Sequence, residues 1–170
     1  MNALYPPVRD NSFTTGLLII HSAPSALRPH IEWGLQSILG NWVSLDWKIQ
    51  PHFSGTHRTT IEFKDRPGTA AKIATALRNW HYLRFEVREE SSNGGEYFRF
   101  TPELGIHRAD IDGLGNIVVS EVHIGNALAK SFDEDSLRFE LENILGKPWE
   151  FELEPLRNIE IEEVIRLKAI

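Results

Sequence analysis

The sequence predicts an α+β fold: a ferredoxin-like βαββαβ core extended by an antiparallel hairpin and C-terminal helices. Three observations carry the prediction. The first ninety residues alternate strand, helix, strand, strand, helix, strand, each with its own apolar period and punctuation. The stretch Asp112-Gly113-Leu114-Gly115-Asn116 separates two further short extended runs, and the last third of the chain turns to helical spacing. The 170 residues are expected to form a single domain, with an irregular leader at 1–15, the core at 16–90 and the hairpin and helical extension at 91–170.

The first strand, Gly16 to His21, is apolar at every position from Leu17 to Ile20, the pattern of a central strand covered on both faces. Ser22 or Ser25 is placed to cap the helix that follows, with Pro24 and Pro29 confined to its approach and first turn. Leu27, Ile31, Leu35, Ile38 and Leu39 keep the three-to-four spacing of one buried helical face, and Gly40 ends it. From Trp42 the period becomes two: Val43, Leu45, Trp47 and Ile49 alternate with Ser44, Asp46, Lys48 and Gln50, which predicts a strand. A turn at 51–56 leads to Thr59, Ile61 and Phe63 alternating with Arg58, Thr60, Glu62 and Lys64, so the two strands read as a hairpin.

Asp65 and Pro67 open a second helix, buried along Ala70, Ile73, Ala74 and Leu77, with Trp80 beside them. The fourth strand, Tyr82 to Glu90, buries Leu83, Phe85 and Val87 and exposes Arg84, Glu86 and Arg88. A fifth strand at Glu96 to Thr101 follows, then a hairpin of Ile106 to Ile111 with Ile117 to Ser120. Beyond it come a helix at Val122 to Phe132, another capped by Asp133 and ended by Gly146, and a short one from Pro148 to Leu156. Ile161 to Leu167 alternates weakly and reads as a terminal strand.

Composition excludes several roles. The longest aliphatic stretch, Leu17 to Ile20, is far too short to span a bilayer, which argues against membrane insertion. With no cysteine, thiol nucleophiles, disulfides and thiolate metal sites are out, which suits a cytoplasmic protein. A net charge of −6 leaves no broad basic field for phosphate backbones, so nucleic acid is not the expected partner. Gly-x-Gly-x-x-Gly and the Walker loop are both absent, and no cofactor is expected.

Three constellations remain. The central strand delivers His21 and Ser22 into the loop before the first helix, with Ser25, Arg28, His30 and Glu32 near in sequence; amides at a helix start and one arginine would suit a small anion. Without a glycine-flanked serine elbow, the adjacent serine and histidine do not make a nucleophilic triad. His107, Asp110 and Asp112 form a second cluster, but strand alternation puts His107 opposite the aspartates and the remaining ligands of a calcium loop are missing. Turn chemistry accounts for it, and no metal is expected. On the polar sheet face, Arg58, Arg84 and Arg88 are expected to rim Leu18 and Ile20, a surface for a partner unless the C-terminal helices cover it. The five tryptophans are expected to pack in the core.

The run His21-Ser22-Ala23-Pro24-Ser25-Ala26-Leu27-Arg28-Pro29-His30-Ile31-Glu32-Trp33 is distinctive as a string. It resembles the opening of an uncharacterised actinobacterial family, domain of unknown function three-one-four-five. Gly68-Thr69 with Ala76 to Trp80, Leu83 to Val87, Thr101 to Ile106 and Trp149 to Arg157 extend the resemblance over nearly the whole chain. It supplies no activity and no catalytic residues. Genes of the family lie near those of type II fatty-acid synthesis, which implies a supporting role in lipid metabolism.

The residues and the resemblance together predict a cytoplasmic, non-enzymatic binding or regulatory module that takes a protein partner or a small anionic ligand. The competing expectation is a small metal-independent enzyme that uses His21 or His30, with Arg28 holding an anionic substrate. Self-assembly into a dimer is the third.

Overall fold

The computed structural model describes residues 13–169, with the side chains of Glu160 and Val164 left aside; the irregular leader expected at the start lies outside them up to position 12. Seven strands form one antiparallel sheet: β1 (Thr14–Pro24), β2 (Lys48–Ile49), β3 (Thr56–Asp65), β4 (Arg84–Ser91), β5 (Gly94–Thr101), β6 (Gly105–Ile111) and β7 (Ile117–Val118). They lie in the order β2-β3-β1-β4-β5-β6-β7. Helices α1 (Arg28–Leu39) and α2 (Thr69–Leu77) join the early strands, and α3 (Glu121–Lys130), α4 (Glu134–Ile144), α5 (Lys147–Arg157) and α6 (Ile159–Lys168) follow the sheet. The fold is mixed α and β, and its sheet is larger than a four-stranded core.

Register decides which face each residue occupies. Leu18 stands between Ile61 and Val87, and Ile20 between Thr59 and Phe85. All but Thr59 belong to one apolar cluster with Ile31 and Leu35 of α1 and Ala70, Ile73, Ala74 and Leu77 of α2. Leu18 and Ile20 are therefore core residues beneath the two helices, with no exposed surface. This corrects the expectation that they share a face with the arginines: a strand apolar at four successive positions does not announce which alternate set points inward, and a one-residue change of phase exchanges them. The opposite face carries Leu17 and Ile19, then Arg88 and Glu86 beside them on β4.

Three other expectations change. Only Lys48 and Ile49 of the alternating 42–50 stretch pair as a strand. Upstream, side chains of α1 take backbone groups that a ladder would use: Gln36 Nε2 donates to the Val43 carbonyl at 3.0 Å, and the Glu32 carboxylate accepts from the Leu45 amide at 3.3 Å. The terminal stretch is a helix, α6; adjacent Glu162 and Glu163 break a period of two but not a helical one. Trp33 and Trp42 are largely exposed rather than packed in the core, while Trp47 and Trp80 pack at its margin.

The helix starts also differ from expectation. Neither Ser22 nor Ser25 caps α1, which begins after a short 3₁₀ turn at Ser25–Leu27. The start of α2 is met from across the sheet: the buried Glu89 carboxylate accepts from the amides of Gly68 at 2.7 Å and Ala70 at 3.0 Å. A carboxylate there also faces the positive end of the helix dipole. Asp133 does cap α4, in a reciprocal box with Ser136.

Candidate functional site

The second sheet face is occupied by the C-terminal helices, and charged groups are buried where they meet. Its first component is a bulge in β1. Ile20 pairs with Phe85 and Ser22 with Arg84, and across β3 Ile20 pairs with Thr59 and Ala23 with His57, so β1 carries one extra residue against both neighbours. A bulge resets the alternation and re-aims a side chain. Here Ala23 returns to the core, while His21 reaches Glu86, with Nε2 to Oε2 at 3.1 Å.

Glu86 is the hub of the network. Arg157, from the end of α5, grips it with Nε at 2.9 Å and Nη2 at 2.7 Å from the same oxygen. The same guanidinium donates to the Tyr97 hydroxyl at 3.1 Å and to both oxygens of Glu150 at 2.6 and 2.9 Å. Glu150 in turn accepts from Arg99 Nη1 at 2.6 Å. Arg99, only 1% exposed, donates through Nη2 to the Leu145 carbonyl at 3.1 Å and lies 3.3 Å from His107 Nδ1. His107 Nε2 lies 2.9 Å from the Ile144 carbonyl, which can only accept; the ring is thus the Nε2–H tautomer, and its Nδ1 accepts from Arg99. Two carbonyls at the end of α4 are satisfied by these groups, and a cation there complements the helix dipole.

The chemistry of this network is that of a static latch. Burial pushes Glu86 upward, but hydrogen bonds from His21 and Arg157 outweigh it and leave its carboxyl below the usual range. The hydrogen bonds from Arg157 pull Glu150 down to about 2 against its burial. Burial, reinforced by the charge of Glu86, raises the Tyr97 hydroxyl well above its ordinary value. Burial lowers His107, which stays neutral. Two ionised carboxylates and two guanidinium groups are thus matched, with neither carboxylate poised to exchange a proton near neutral pH.

Beside the latch lies a cavity of about 240 Å³ between β1, β3 and α5, lined among others by His21, Asp46, Lys48, Arg58, Leu156 and Arg157. Arg58 is itself buried, donating from Nη2 to Glu163 of α6 at 2.7 Å and from Nε to the Ile49 carbonyl at 3.3 Å. Glu163 is half exposed.

The ligand residues expected near α1 do not converge. His21 reaches the cavity. Ser22 is fully buried and accepts from Arg84 Nη1 at 3.4 Å. Ser25 lies 3.0 Å from both the Gly55 carbonyl and His57 Nδ1; its single proton goes to the carbonyl, so the hydroxyl accepts from the ring. Arg28 donates to the Ser25 carbonyl at 3.2 Å and lines a separate shallow cleft with Trp33 and Trp47, and His30 is exposed in a T-shaped pair with Trp33. The anion geometry foreseen at the α1 start is therefore not assembled there.

The three arginines of the expected partner surface are also engaged. Arg84 lies over the Phe53 ring at 4.0 Å and 3.5 Å from Glu103, and Arg88 is held by Glu90 and the Gly115 carbonyl. Arg58 faces the cavity instead. In the cluster of His107, Asp110 and Asp112, Asp112 Oδ1 accepts from the amides of Leu114 and Asn116, both at 2.9 Å, which is turn chemistry. Among the described residues no group of three or more acidic or histidine side chains could hold a metal ion. No helix among them is long and apolar enough to cross a membrane.

Sequence reasoning did not find Tyr97, Arg99, Glu150 or Arg157. One signal was present on α5: positions 150, 153 and 157 share a helical face, so Glu150 and Arg157 bracket the buried Leu153. A carboxylate and a guanidinium flanking a core leucine mark charges that face protein.

The stretch that supplies the bulge, the hub and both arginines lies within residues 17–167, which match the family described as protein of unknown function (DUF3145). The chain belongs to that family. Comparison with curated proteins and with solved structures finds no match. In this DUF3145 chain the matched span includes every strand partner of β1 and the whole of α5.

Proposed function

We propose that the protein is a cytoplasmic, non-enzymatic binding module that takes a small anionic ligand in the cavity between β1, β3 and α5. The observation that carries the reading is convergence: Lys48, Arg58, Arg157 and His21 face one cavity in which Asp46 is the one carboxylate among the described lining residues. At about 240 Å³ it is smaller than the ~300–1,000 Å³ typical of drug-sized ligands, so its occupant is a compact phosphate or carboxylate rather than a nucleotide cofactor. Arg58 offers the entry point. Glu163, which it meets at 2.7 Å, is half exposed on α6, so an incoming anion can compete with that carboxylate for the buried guanidinium.

The matched latch supports binding over catalysis, because Glu86 and Glu150 are held ionised by the arginines and are not poised as an acid or base. It also supports treating the chain as one domain. The order β2-β3-β1-β4, with α1 and α2 on one face, supports a ferredoxin-like reading of residues 16–90. The family resemblance adds a link to fatty-acid metabolism, compatible with a carboxylate or phosphate ligand.

Thermal shift and calorimetric titration with inorganic phosphate and with citrate test the proposal. Stabilisation is expected with at least one of the two anions. Arg58→Ala should abolish it, and Glu163→Gln should strengthen it by removing an internal competitor. No shift with either anion, or a shift that Arg58→Ala leaves intact, refutes the reading.

A further inference from the structure

The protein's charge and its exposed apolar groups are both concentrated in one region. Residues 121–170 carry twelve acidic and six basic side chains, which accounts for the entire net charge of −6, while the first 120 residues are balanced. Within that acidic region α3 and α4 form a helical hairpin that is poorly buried. Ala127 is its one buried residue, and α4 has none. Val122, Leu128 and Phe139 are each more than half exposed, and Phe132, in the connecting turn, is 88% exposed. A soluble helix normally hides an apolar stripe of this kind against something.

One residue indicates what covers it. Val122, Gly125, Leu128 and Ala129 follow helical spacing along one stripe of α3. Gly125 lies in mid-helix, where glycine costs about 1 kcal/mol relative to alanine, and no neighbouring group stands within 4 Å of the position its Cβ would take. Nothing among the described residues requires the missing side chain. A small residue flanked by exposed Val122 and Leu128 is instead the contour that admits another helix at close range.

We propose that the α3–α4 hairpin is a docking surface for a positively charged amphipathic helix of a partner protein. Charge decides the occupant. The hairpin carries Glu121, Asp133, Glu134, Asp135, Glu140 and Glu142 against Lys130 and Arg138, so a second copy would bring like charge against like. An anionic membrane surface is disfavoured for the same reason. A helix with an apolar face and a Lys/Arg face satisfies both properties of the surface.

Three labelled peptides test this by fluorescence anisotropy: an amphipathic Leu/Lys helix, the same pattern with Glu in place of Lys, and a Leu/Lys sequence scrambled to lose the apolar face. Only the first should bind, weakening about tenfold or more as salt is raised from low to several times physiological strength. Gly125→Leu and Phe132→Ser should each weaken binding about tenfold while leaving the melting temperature within a few degrees, because both positions are open in the free protein. Failure of the first peptide to bind, equal binding of the scrambled one, or indifference to both substitutions overturns the proposal. So does light scattering that shows a dimer dissolved by Phe132→Ser. Anion binding at Arg58 is read in a separate titration, so either proposal can fail alone.

Discussion

Replacing Gly146 with alanine probes the contact on which the whole C-terminal half closes. Gly146 adopts φ of +74°, a left-handed geometry that costs an ordinary residue about 1–2 kcal/mol. Its added Cβ would also fall on the guanidinium of Arg99, within van der Waals overlap of Nη2, and 2.9 Å from the His107 ring. Arg99 is walled in and cannot yield to solvent, so its displacement breaks at least the hydrogen bond to the Leu145 carbonyl. A charged hydrogen bond of that kind contributes about 1.5–3 kcal/mol. The sum is about 2.5–5 kcal/mol, on the order of 10 °C in melting temperature for a chain of this length.

Gly105 supplies the control. It has nearly the same φ, +73°, but nothing within 4 Å of its Cβ position, so Gly105→Ala should cost only the conformational part, about 1–2 kcal/mol. Urea denaturation followed by circular dichroism measures both. In an Arg99→Met background, where the obstructing guanidinium is absent, the cost of Gly146→Ala should fall toward that of Gly105→Ala, with the close approach to the His107 ring as the remainder. Equal costs for the two glycines in the wild-type chain, or strict additivity with Arg99→Met, would refute the crowding argument.

Two further outcomes follow from register and titration. Leu18→Ala should cost about 2–5 kcal/mol and the adjacent Leu17→Ala about 1 kcal/mol or less, because only Leu18 lies in the core; similar values from denaturant melts would mean that the sheet faces are misassigned. His107 is held below its ordinary value of 6.5, so the unfolded chain binds a proton that the folded chain excludes. Stability is then complete above about pH 6.5 and lost as the pH falls below it. Melting curves should show a decline that sets in as the pH falls below about 6.5 and that His107→Gln flattens. Glu86 and Glu150, both lowered, add a second loss below about pH 4.5 that extends toward about 2; a flat profile across neutrality would count against the neutral buried ring.

The elements that sequence revealed are those whose signal is local. Ile31 and Leu35 on α1, and Ala70, Ile73, Ala74 and Leu77 on α2, repeat at helical spacing and are buried as that spacing implies. What escaped depends on distant neighbours. The 42–50 stretch alternates like a strand, yet Glu32 and Gln36 from the preceding helix occupy its backbone groups. The inward face of β1 is set by pairing with Ile61 and Val87 and by the bulge at His21 and Ser22, none of which four consecutive apolar residues encode. His21 was legible as a candidate, but its partner Glu86 lies 65 positions away and Arg157 a further 71 beyond that. Glu86 looked like a solvated strand residue because nothing near it in sequence indicates the helix that covers it.

Arg99 has a consequence for the order in which the chain is made. Every strand is complete by Val118, so the whole sheet exists in the nascent polypeptide before α5 has been synthesised. Its most secluded guanidinium, however, draws its carboxylate and its carbonyl from Glu150 and Leu145, which are translated only after the last strand. A ribosome that stalls, or a nonsense codon, between those two points releases a sheet with an unmatched charge on an uncovered face. Quality control would therefore meet a product with all its strands and an exposed flank, a species predisposed to aggregation or proteolysis.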